Sequence, residues 1–122
     1  MPEDVSLSSD GTYILVQSTG APSLKEMEQT LSKIKGLIEE NQVNRVLVDS
    51  RSRRQQPPLF EIYSGAEMLV KMLGGRIHIA LLVNQVEEDH AFFETVAINR
   101  GADIAYFREK ETALHWLLAD EN

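Results

Sequence analysis

Apolar and polar positions alternate, then bunch, along this chain in a way that sets out its elements. Val5 to Ser8 alternates like a half-exposed strand, and Tyr13 to Ser18 reads as its return. Between them Ser9-Asp10-Gly11-Thr12 contains Asp-Gly, which predicts a two-residue hairpin turn. Ser23-Leu24-Lys25-Glu26 is a capping box at a helix start. The helix it opens puts Leu24, Met27, Leu31, Ile34 and Ile38 on one stripe, and Glu39, Glu40 and Asn41 end it. Val46, Leu47 and Val48 form a short apolar run suited to a strand buried on both faces, stopped by Asp49 and Ser50. After a basic loop, Pro57 and Pro58 open a second helix that runs to Leu73, with Leu59, Ile62, Ala66, Leu69, Val70 and Leu73 on one face. Gly74-Gly75 marks its end.

Ile77 to Val83 is the next strand, nearly continuous in apolar residues. Glu87, Glu88 and Asp89 suit the positive end of a third helix, which buries Phe92, Phe93, Val96 and Ala97 and stops at Gly101. Asp103 to Phe107 is the last strand. A final helix over Lys110 to Ala119 presents Ala113, Leu114, Trp116 and Leu117. The order is ββαβαβαβα. Alternating elements with short connections predict one α/β domain over 1–122, a mixed, mostly parallel five-stranded sheet with four helices.

Composition narrows the function classes. With no cysteine the chain has no disulfide, thiolate nucleophile or zinc-thiolate site. Its acidic N-terminus lacks the apolar core of a secretory signal, and its longest aliphatic stretch, Ile79 to Val83, is too short to cross a bilayer. A cytoplasmic protein is expected. The net charge of −7 disfavours binding nucleic acid over a broad face. That charge is uneven: residues 45–54 carry four Arg against one Asp, a local +3, which leaves −10 for the rest.

The Val46-Leu47-Val48-Asp49 strand, the element order and the late stretch Gly101-Ala-Asp-Ile-Ala-Tyr-Phe-Arg-Glu-Lys-Glu-Thr-Ala-Leu-His-Trp-Leu117 together resemble the STAS-like domains. The branch is the one named for the sporulation anti-sigma-factor antagonist, also likened to CRAL-TRIO lipid-binding domains. Ser18-Thr-Gly-Ala-Pro-Ser-Leu24 before the first helix is similar to the family's habit there. The resemblance implies a non-enzymatic domain without a cofactor that binds partner proteins, and in some members nucleotides or lipids. In sigma-regulating members a Ser at the start of the second helix is phosphorylated. This chain has Gln56-Pro57-Pro58-Leu59-Phe60 there, without a hydroxyl, and Ser64-Gly65-Ala66 falls about five residues later, so the switch does not carry over.

The strongest candidate site is the basic loop. Ligands of open α/β sheets bind beyond the carboxyl ends of the strands. Asp49, Ser50, Arg51, Ser52, Arg53 and Arg54 lie there, just before a helix start that favours anions. Guanidinium groups fork onto carboxylate or phosphate. The plainer alternative is a solvated loop whose arginines pair with nearby acids, with Asp49 orienting Arg51 or capping the loop. On the second helix, Phe60, Tyr63, Met68 and Met72 extend the apolar surface beyond the core stripe and suit an adaptable binding face.

Other chemistries are weaker. A receiver-type acidic pair is missing before the first helix, and Pro22 removes a donor from the Ser18–Ser23 loop that a flavin phosphate would need. His78, His90 and His115 stand on separate elements and form no metal set, and no nucleophile-elbow motif is present. The expected role is a regulatory module that binds a protein partner through the second helix and the basic loop, with homodimerisation open. The alternative is a carrier of a lipid-like or small anionic ligand, with an apolar pocket and an arginine-lined rim.

Overall fold

A computed structural model describes residues 3–18, 23–51, 67–73, 77–84, 95 and 103–119. Its strands are β1 (Glu3–Leu7), β2 (Ile14–Ser18), β3 (Arg45–Asp49), β4 (His78–Leu82) and β5 (Asp103–Phe107). They form one sheet in the order β1-β2-β3-β4-β5. β1 pairs antiparallel to β2; the pairings of β2 with β3, β3 with β4 and β4 with β5 are parallel. The helices are α1 (Leu24–Asn41), α2 (described over 67–73) and α3 (Lys110–Leu117). Four helices are expected from the sequence; the described residues hold three helical stretches and one further helical residue, Thr95. The helix expected over Glu87–Gly101 lies outside them except for Thr95, which is helical. The Pro57-Pro58 helix start and the Gly74-Gly75 stop also lie outside.

The hairpin loop differs from the expected two-residue turn. Ser8 N–H donates to the Tyr13 carbonyl at 2.8 Å, so Ser9–Thr12 form a four-residue loop. A two-residue type I′ turn needs positive φ at both central positions, and Gly11 alone takes it here, at 73°. The Asp10 carboxylate instead accepts from Thr12 N–H at 3.1 Å, Thr12 Oγ1 at 2.7 Å and Ser8 Oγ at 2.8 Å. Those bonds hold its pKa below the ordinary value.

α1 begins at the capping box read from the sequence. Glu26 N–H donates to Ser23 Oγ at 3.2 Å, and Ser23 N–H donates to Glu26 Oε1 at 3.0 Å. At the other end Gln42 turns left-handed with φ 55°. Asn41 Nδ2 and Gln42 Nε2 donate to the carbonyls of Leu37 and Glu39 in the last turn, and the Glu39 carbonyl is one that the ending helix leaves without an intrahelical partner.

The in-phase parallel registers sort side chains onto two faces. Ile14, Val46, Ile79 and Ile104 are cross-strand neighbours on one face. With Val16 they meet Leu31 and Ile34 of α1, and Met68, Leu69, Val70, Met72 and Leu73 of α2 pack half-buried against the same cluster. Leu15, Leu47 and Ala80 point the other way. There Leu47, Ala80 and Leu82 are sealed by Ala113 and Leu117 of α3. The sheet is therefore a central layer between α1 and α2 on one side and α3 on the other. Ala80 and Ala113, both fully buried, let α3 lie close to β4.

Candidate functional site

Asp49, Leu82 and Phe107 are cross-strand neighbours, so β3, β4 and β5 all end at one level. The chain continues from that edge as Ser50-Arg51, Val83-Asn84 and Arg108-Glu109. Backbone bonds carry the ladder one residue further: Ser50 N–H donates to the Leu82 carbonyl, and Val83 N–H to that of Phe107, each at 2.9 Å. Three loops thus rise from a rigid edge at the carboxyl end of the sheet.

Asp49 organises the first loop. Arg51 donates from Nε to Oδ1 at 3.0 Å and from Nη2 to Oδ2 at 2.8 Å, a bidentate fork. Arg51 N–H adds a third bond to Oδ1 at 3.1 Å, which closes a local side-chain-to-backbone turn. The Arg51 hydrogen bond, helped by the charges of Arg51 and Lys110, holds the Asp49 carboxyl below the usual aspartate range, against the opposing effect of burial. The same pairing raises the Arg51 pKa. Asp49 thus orients Arg51, as the sequence allows. The Arg51 side chain remains 39% exposed, so the pair faces solvent on one edge.

Three residues not singled out in the sequence complete the rim: Asn84, Arg108 and Lys110. Asn84 Nδ2 donates to the Arg51 carbonyl at 2.5 Å, and the Asn84 carbonyl accepts from Arg108 Nε at 3.3 Å. Asn84 therefore joins the loops after β3 and β5. Lys110, in the first turn of α3, lies near enough to act on the Asp49 charge. The signal for Asn84 is positional: it stands two residues beyond Leu82, as Arg51 stands two beyond Asp49.

Of the expected site, Asp49, Ser50 and Arg51 come together at this edge. Ser52, Arg53, Arg54, Phe60 and Tyr63 lie outside the described residues. Met68 and Met72, expected to widen a binding face, pack half-buried on the α1 side of the sheet. His78, assigned no role from the sequence, pairs across strands: its Nδ1 lies 2.5 Å from Asp103 Oδ2 at the amino end of β4. Among the described residues no three His, Asp or Glu side chains gather as a metal site would need, and no helix is long and apolar enough to cross a membrane.

No protein-family model matches the chain, and no curated protein matches it. Among solved structures it is similar to an uncharacterised protein of the DUF3478 family with a SpoIIAA-like fold, from Shewanella loihica PV-4. The TM-score is 0.65 at 16% identity, covering 94% of this chain and 91% of that one. The resemblance carried by the Val46–Asp49 strand and the Gly101–Leu117 ending holds at the level of architecture: the chain has a SpoIIAA-like, STAS-type α/β fold.

Proposed function

We propose that this protein is a non-enzymatic regulatory module that binds a protein partner at the carboxyl edge of its sheet, through the basic loop after β3 and the helix that follows. One observation carries the reading: Arg51 is held in a two-pronged grip by Asp49, yet is 39% exposed. A guanidinium positioned before binding loses little freedom on meeting an acidic partner group. The fold supports the reading, since such α/β sheets present their ligand-binding loops at this edge. A strongly acidic remainder of the chain would steer an anionic partner group toward the basic stretch. We place the module in the cytoplasm and leave its self-association to the same experiment.

That experiment is native mass spectrometry of the protein purified from its source, beside a variant with Arg51, Arg53 and Arg54 changed to Gln. A stoichiometric protein partner on the wild type, lost in the variant, is the expected result. An unchanged partner in the variant overturns the reading. A bound small molecule in place of a protein overturns it in favour of the ligand-carrier alternative.

A further inference from the structure

Arg51 and Arg108 share an arrangement that neither shows alone. Each is pinned through its Nε: Arg51 by Asp49 Oδ1, and Arg108 by the Asn84 carbonyl. Asn84 also holds the Arg51 carbonyl through its side chain. The two arginines therefore rise from the loops on either side of Asn84, both bonded to that one residue. Among the described residues the bonds use Nε of Arg108, and Nε and Nη2 of Arg51, out of the five N–H donors that each guanidinium carries. The charge of Lys110 also acts on Asp49. Glu109 and Glu111 follow Arg108 in the chain and weaken the positive field of the rim.

We infer that Arg51 and Arg108, bridged by Asn84, form a binding site for a phosphate-type dianion. The inference rests on the carboxyl-edge reading above and adds the chemistry that this edge recognises. Two planar forks suit the several oxygens of a phosphate, and their pinned Nε groups limit the freedom lost on binding. A phosphorylated side chain of a partner and free phosphate offer the same chemistry.

The test is a nitrogen-15 NMR titration of the full chain, observing the arginine Nε–H signals and the amides of Arg51 and Asn84. The probes are inorganic phosphate, a short peptide containing phosphoserine, and acetate. Saturable shifts at Arg51 and Arg108 with phosphate, weaker with acetate, are expected. Arg108→Gln should weaken phosphate by about tenfold, the effect of losing charge-assisted hydrogen bonds. Lys33→Gln removes the same charge from exposed α1 and should leave binding unchanged. Tighter binding of the peptide than of phosphate assigns the site to a partner's phosphorylated side chain; the reverse assigns it to the free anion. Non-saturating shifts, or equal weakening by both variants, would overturn the inference. If phosphate fails while the triple arginine variant still loses its partner, the interaction reading stands without it.

Discussion

Asp49 shows how one carboxylate can serve both the fold and the rim. Its three bonds from Arg51 turn the chain out of β3 and aim the guanidinium in one step. Because its folded pKa is depressed, the pair stabilises the protein at neutral pH, and that contribution is lost as pH falls through the depressed value. Asp49→Asn should lower stability at neutral pH by about 0.2–1 kcal/mol, the range for a partly exposed pair. The difference from wild type should shrink as the solution is acidified. Thermal melts of both proteins along an acid series check this; a constant difference would mean that the charge plays no part. The sequence allowed Asp49 to orient Arg51 because they stand two positions apart. It did not reveal Asn84, whose partners are 33 and 24 residues away.

At the scale of elements, α1 is where local rules and the final structure agree most fully. Its capping box and its apolar stripe are both properties of residues three and four apart, which any helix brings together. One position works against it. Gly36 lies exposed in the middle of the helix, and an added Cβ would meet nothing within 4 Å. Gly36→Ala should therefore raise stability by about 0.5–1 kcal/mol, the usual helix penalty of glycine. Denaturant unfolding should show a higher midpoint with an unchanged slope. The hairpin was less legible. Asp-Gly favours the two-residue turn in general, but the Ser8 and Thr12 hydroxyls give Asp10 a set of bonds that a four-residue loop satisfies. Such side-chain competition for a loop is not part of a dipeptide signal.

Across the whole molecule, the sheet is the layer that both halves of the core share. Leu82 is fully buried under α3, whereas Ile34 of α1 is buried against the opposite face. Leu82→Ala should cost about 2–5 kcal/mol, as large-to-small changes in a core do. Trp116, whose ring lies 5.5 Å from Phe107, reports on the α3 side, while circular dichroism reports on all helices. Both probes should shift together in the Leu82 variant, because a shared sheet couples the two layers. Separate transitions would show that α3 detaches by itself.

The sequence alone determined the strands, α1, α3, the two-sided burial of β3 and β4, and the uneven charge. Each follows from side-chain periodicity or local composition, which a chain carries without needing its fold. Only the tertiary structure decided the strand order and which loops share the carboxyl edge. It also decided that Asn84 joins Arg51 to Arg108, and that His78 meets Asp103. Those are contacts between residues far apart in the chain. They exist because parallel pairing brings strand ends to one level, and the register that aligns them is set by the packing of both faces at once.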